Sequence, residues 1–322
     1  MKSRKTIVFA VCLVLAVILP WVFNSSYYLS LFGQTLINII IVFGLNFITG
    51  LTRNMNLGTA GIMAVGAYTS ALLSTKLGIS PWIGLAAAIL VGFLIGRGLG
   101  YPSLRISGVY LSLTTIAFGE IVRLVLNNTT SVTGGAQGLT NVPVFSVFGL
   151  EIERGIPFYY FLLIFMLLMF WMSTRIVCSK WGRAFKAISD NPDAAESLGI
   201  DIAKIKILAF TLASIYAALG GALYGNLMGY LNPSTFNFDF SINFVIMLMI
   251  GGIGIVNVNI IGAIVVTMLP ELLRFLGDYY QLVFYTIAFI GAIKLPQGWP
   301  AGIASVGRWI VKKTGMKSRK EG

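Results

Sequence analysis

Long uncharged blocks recur along this chain, each closed by a short polar or basic stretch. Runs of roughly 17–24 apolar residues match what a helix needs to cross about 30 Å of hydrocarbon at 1.5 Å per residue. The pattern predicts spans at 6–23, 29–50, 58–75, 82–100, 107–126, 157–174, 205–228, 240–256, 260–277 and 282–296. The blocks at 58–75 and 240–262 are weaker than the rest, being rich in Gly, Ala and Thr. Small residues let helix backbones approach closely, and in a membrane packing must replace the hydrophobic effect as the glue. Gly92, Gly96 and Gly100 repeat every four residues, as do Gly221, Gly225 and Gly229. Such stripes serve contact within one subunit or between two.

Composition agrees with the pattern. Of 322 residues, 57% are hydrophobic and 11% charged, against about 25% charged in a typical soluble domain. Too few polar side chains remain to clothe a soluble surface. The expected fold is all-α: a polytopic bundle of about ten transmembrane spans, forming a single transmembrane domain over 1–322. The opening Lys2, Arg4 and Lys5 precede an apolar run without a small-residue cleavage site, which reads as a retained first span.

The net charge of +12 does not point to nucleic acid. A basic stripe interleaved with aromatics on a polar surface is missing, and the basic residues lie between and beyond the apolar blocks. Of the 23 Lys and Arg, only Lys76, Arg123, Arg154 and Arg274 fall on one side of the expected topology. That asymmetry places both termini and the 175–204 loop in the cytoplasm. It also leaves 305–322 as a basic cytoplasmic tail and 127–156 as the longest external loop. Histidine is absent, and Cys12 and Cys178 suggest neither a disulfide nor a metal site.

The loop from Trp181 to Gly199 differs in kind from the others. Two short helices fit it. The first, Arg183–Ser189, is basic, with Phe185 and Ile188 to one side. The second has Asp190 or Asn191 as N-cap, Pro192 at its first position, Asp193 in the first turn and Gly199 as its stop. So short a helix is marginal alone in water, so something should hold it: the membrane surface or a partner.

Here the residues match a known pattern. Gly182, Arg183, Ala184, Ala187, Ile188, Asn191, Ala194, Ala195, Glu196, Leu198, Gly199, Ile200, Lys206, Ala209 and Phe210 follow a "GRAxxAIxxNxxAAExLGIxxxxxKxxAF" signature. In register with it are Asn56–Tyr68 (NLGTAGIMAVGAY), Gly108–Ile121, Thr133–Leu139 (TGGAQGL), Gly251–Gly254 (GGIG), Leu269–Glu271 and Leu295–Trp299. The chain thereby resembles the permeases of branched-chain amino acid ABC importers, particularly the LivM type, over roughly 35–303. It departs from that pattern after GGIG, where Ile255-Val256-Asn257-Val258-Asn259 replaces the usual Thr or Ser followed by Gly-Pro.

The resemblance implies an ATP-driven importer of branched-chain or related amino acids in a bacterial-type plasma (inner) membrane. ATPase coupling would fall to Gly182, Arg183, Ala184, Ala187, Asn191, Ala194, Ala195, Glu196 and Gly199. The implied partners are two cytoplasmic ABC ATPases, a second permease subunit (related or identical) and an extracytoplasmic binding protein. The chain carries no G-x-x-x-x-G-K-[ST] phosphate loop, so ATP and Mg²⁺ would belong to the separate ATPases, and no cofactor, metal or catalytic residue is expected here.

Ionisable residues inside spans are functional candidates because burying them is costly. Glu120 with Arg123, and Glu271 with Arg274, are spaced to meet on one helix face and fall near the outward ends. They could pair structurally, dock the binding protein or line the substrate path. Asn46, Thr114 and Thr115 lie mid-span and could line the path or bond between helices. An ion-coupled secondary transporter is the competing reading; an embedded enzyme has little support without His or clustered carboxylates.

Overall fold

The computed structural model describes residues 14, 16–106, 108–147, 150–273 and 286. Arg274, half of the span expected at 6–23, nearly all of that at 282–296 and the basic tail lie outside those residues.

Residues 16–22 are helical. There follow α1 (Ser26–Leu45), which continues as a π-turn over Asn46–Gly50, α2 (Thr59–Lys76), α3 (Pro81–Gly100) and α4 (Val109–Asn128). Beyond the four-residue α5 (Thr130–Thr133) come α6 (Ile156–Cys178), α7 (Lys180–Asp190), α8 (Pro192–Ser197), α9 (Ile202–Met228), α10 (Phe238–Gly251) and α11 (Val256–Leu272). The all-α expectation holds apart from a two-residue antiparallel hairpin, β1 (Ser146–Val147) with β2 (Leu150–Glu151).

The bundle is built round α9. This 27-residue helix is apolar yet mostly buried inside the chain. The glycine stripe of α3 packs on it: Gly92 faces Ser214 and Ala218, Gly96 faces Thr211, and Gly100 faces Ile207, all within van der Waals reach. Gly44 of α1 abuts Tyr216 in the same way. The Gly92–Gly100 stripe thus serves contact inside one subunit. Helix α2 was weak as a span for the same reason. It is wedged among α9, α3 and α4, so small side chains, rather than apolar ones, are what its place requires.

Among the described residues, five helices are long and apolar enough to cross a membrane: α1 with its π-turn, α3, α4, α6 and α9. Helices α3, α4 and α6 carry large exposed apolar side chains such as Leu90, Tyr110, Ile121 and Ile164, as lipid-facing helices do. The expected span at 240–256 is cut short. Helix α10 ends at Gly251, and Gly252 (φ +123°) and Gly254 (φ +81°) turn the chain before α11 starts at Val256 rather than near 260. Gly262 packs against the Met247 carbonyl and Gly251 against Asn259, so the two helices pack closely face to face.

Residues 129–155 close one end of the bundle, the hairpin end. Leu139 and Leu231 exchange backbone hydrogen bonds, and Val142 N–H donates to the Gly229 carbonyl. Arg154 donates from Nε to the Asn226 carbonyl at 2.9 Å and from a terminal nitrogen to the Val142 carbonyl. Partial burial lowers the pKa of this guanidinium. The loop is therefore a fixed cap and not a floppy connector.

Candidate functional site

The opposite end carries an arm made of α7 and α8. Ser179 Oγ accepts the Trp181 N–H at 3.1 Å and caps α7. This helix begins three residues earlier than its periodicity suggests. Gly182 sits against the backbone of Val177, where any side chain would collide, so the chain turns sharply off α6. Phe185 and Ile188 are buried while Lys180, Arg183 and Lys186 are exposed, a basic outer face over an apolar inner one.

Helix α8 has the predicted punctuation, and the structure selects Asn191 over Asp190 as the cap: its Oδ1 accepts the Ala194 N–H at 3.1 Å. Gly199 (φ +80°) ends the helix in the left-handed region that favours glycine. Asp201 then caps α9 by accepting the Lys204 N–H at 3.0 Å and pairing with Lys204 Nζ at 2.8 Å. The Lys204 side-chain hydrogen bond lowers the pKa of this exposed carboxyl. The arm is therefore joined to the central helix by a capped, four-residue link, 198–201.

The nine coupling residues fall into three groups. Arg183, Asn191, Ala194, Glu196 and Gly199 are exposed, and Ala184 and Ala187 are half-buried. Gly182 and Ala195 are buried within the chain, where they shape the arm and present no side chain outward. Glu196, Gly199, Ile200, Asp201 and Lys206, with Leu104 from the turn after α3, line an open cavity of about 400 Å³. Leu198, between the lining residues Glu196 and Gly199 in sequence, is 82% exposed. Sequence reading gave Leu198 no role of its own, although an apolar residue among polar loop positions is a signal of contact.

The polar residues of the bundle fare differently. Asn46 is fully buried in the π-turn, and its Oδ1 accepts the Gly254 N–H at 2.9 Å, tying α1 to the α10–α11 turn. Its Nδ2 has no partner. Thr115 Oγ1 accepts the Leu57 N–H at 3.0 Å and donates to the Ser112 carbonyl. Thr114 bonds its own helix at Tyr110. Glu120 and Arg123 pair at 2.8 Å on one face of α4, each about a third exposed. Glu120 is the twelfth of the 20 residues of α4, about 16 Å from its start. Glu271, at the end of α11, accepts a hydrogen bond from Tyr27.

Several residues that bind the interior together had not been singled out. Asn38 Nδ2 donates to Thr267 Oγ1 at 3.0 Å, and Ser241 Oγ accepts the Ala60 N–H at 3.0 Å. Asn259, within the segment that departs from the family pattern, is fully buried. Its Nδ2, with the amide oriented to satisfy both contacts, donates to the carbonyls of Gly252 and Ile255. It stitches a turn that Gly-Pro would close differently.

No group of three or more metal-ligating side chains occurs among the described residues. A bundle of long apolar helices round a buried core helix, with a stiff amphipathic arm at one end, defines a multi-pass helical membrane protein of the transport-permease class. The chain belongs to a known family of that class: residues 27–293 match the family described as branched-chain amino acid transport system / permease component. It is 33% identical over 309 residues to the high-affinity branched-chain amino acid transport system permease protein LivM of Escherichia coli, covering 89% of this chain and 72% of that one. The Salmonella typhimurium LivM protein is similar at 32% over the same shares. The ribose import permease protein RbsC of Haemophilus influenzae is similar at 23%, over 87% of this chain and 88% of that one. No solved structure matches the chain.

Proposed function

We propose that this chain is the membrane-spanning permease subunit of an ATP-driven importer of branched-chain or related hydrophobic amino acids, working by alternating access in a bacterial-type inner membrane. The arm carries the reading. It lies at one end of the bundle, is capped at three points and exposes Leu198. An exposed leucine in that setting is covered when a partner docks.

On this reading the arm faces the cytoplasm, in keeping with the basic residues of 175–204, and a separate ATPase grips it, one of the two in the complex. The hairpin end faces outward and receives a binding protein, and about ten spans place both termini inside. A second permease subunit completes the pathway. Family membership and the LivM relatives support the amino-acid cargo, while RbsC, a ribose import permease by name, shows how widely this architecture is used.

The test is uptake by vesicles holding the permease pair and the ATPases, with leucine-loaded binding protein outside and ATP inside. Leucine accumulation that requires ATP is the expected result. Accumulation driven by a proton or sodium gradient without the ATPases would overturn the reading in favour of a secondary transporter.

A further inference from the structure

Helix α2 starts inside the bundle, and its N-cap residue provides no side-chain cap. Gly58, Thr59, Ala60 and Gly61 are all buried. The N-cap position is Gly58, which has no side chain to offer, and a side chain there would collide with the Thr115 carbonyl. The first-turn N–H groups of a helix lack intrahelical partners and carry partial positive charge. Asn56 Oδ1 accepts the Gly58 N–H at 2.9 Å and Ser241 Oγ of α10 accepts that of Ala60, which leaves those of Thr59 and Gly61. The first turn of α2 contains no acidic residue.

A second observation points to the same place. Thr59 is 3% exposed, and its hydroxyl has no hydrogen-bond partner. Ser112 of α4 is 6% exposed, and its hydroxyl is also unpartnered. Ser112 lies one turn before Thr115 on α4, and it is Thr115 that the start of α2 touches: Gly58 abuts its carbonyl and Leu57 donates to its Oγ1. An unpaired buried hydroxyl costs about 1–3 kcal/mol, so two of them beside an uncapped helix start call for a ligand. Asp239, the acid nearest Ser241 in sequence, lies about 200° round α10 from it and is exposed.

We infer that the start of α2, with the hydroxyls of Thr59 and Ser112, is a carboxylate-binding station on the substrate path. Two hydroxyl donors and the positive end of a helix dipole suit a carboxylate group, and a helix that begins inside a membrane bundle provides such an end within a transporter. A neutral sugar would gain nothing from the dipole. The inference rests on the proposed amino-acid cargo.

The experiment uses the complete transporter in vesicles, with leucine as the probe and binding-protein-stimulated ATP hydrolysis measured alongside uptake. Thr59→Val combined with Ser112→Ala is expected to lower leucine moved per ATP about tenfold, with hydrolysis within twofold of wild type. Thr59→Ser, which keeps the hydroxyl, is expected to retain uptake. An uptake-to-hydrolysis ratio within twofold of wild type in the double variant would overturn the station and leave the cargo reading intact. A loss as large in Thr59→Ser as in Thr59→Val alone would do the same, and this comparison stands even where the double variant fails to assemble. A wild-type complex that hydrolyses ATP but moves no amino acid would overturn both.

Discussion

Replacing Leu198 by alanine separates docking from folding. In the free chain 82% of this side chain is exposed, whereas Ala195, one turn earlier, is 2% exposed. Fully burying a leucine side chain is worth about 1.5–3 kcal/mol. Since most of Leu198 is still open, most of that gain awaits a partner. Truncation should therefore cost the complex roughly 2 kcal/mol, about 30-fold in Kd, and leave the permease itself unchanged. The assay is a titration of ATPase subunits onto permease in lipid nanodiscs, paired with thermal unfolding of the permease alone. A Kd within threefold of wild type would refute the reasoning, because it would mean that no partner covers this residue. A fall in permease stability matching the lost affinity would refute it as well. Ala195→Arg is unsuited to the purpose: it forces a charge into a buried position and should unseat α8 before any partner arrives.

Three further outcomes follow from the packing. Gly66→Leu should destabilise the bundle by about 1–3 kcal/mol or prevent assembly, since even a methyl group there overlaps the Ala218 backbone; unfolding temperature in detergent reports it. Asn46→Leu should cost about 1–3 kcal/mol by leaving the Gly254 N–H unpaired, seen as faster amide exchange at Gly252–Ile255. Arg154→Met should free the carbonyls of Asn226 and Val142 and open the 129–155 cap to proteolysis several-fold faster, while ATPase binding at the far end stays unchanged.

Much of this architecture was legible because a membrane imposes simple rules. Apolar run length placed eight of the expected spans on described helices, and the Asn-Pro-Asp punctuation placed α8 to the residue. The interior was less legible. Burial of Gly182 and Ala195 depends on the turn off α6 and the packing of the arm, which no local pattern encodes. The interruption after Gly251 was hidden because Ile253, Ile255 and Val256 keep hydropathy high across a backbone turn. Thr59, Ser112 and Ser241 read as ordinary hydroxyls in apolar runs, since helix-forming sequence carries no record of which residues from distant spans will meet.

The breaks in the helices and the arm form one mechanical system. Helix α9 is continuous for 27 residues and is linked to the arm through the Asp201 cap, so a push on α8 is delivered to a stiff rod. The surrounding helices yield at defined places. The π-turn of α1 spans Asn46–Gly50, and π-turns are frequent at functional sites. The α10–α11 turn meets it through the Asn46–Gly254 hydrogen bond. The uncapped start of α2 is joined to the start of α10 through Ser241 and to α4 through Thr115. On the proposed reading, movement of α9 shears it past α1 and α2, whose glycine contacts with it permit close sliding. The strain collects at these weakly bonded junctions and not in the long helices. Opening is then a local rearrangement of a few hydrogen bonds, each worth about 1 kcal/mol, an amount that docking and release of a partner on the arm is large enough to reverse.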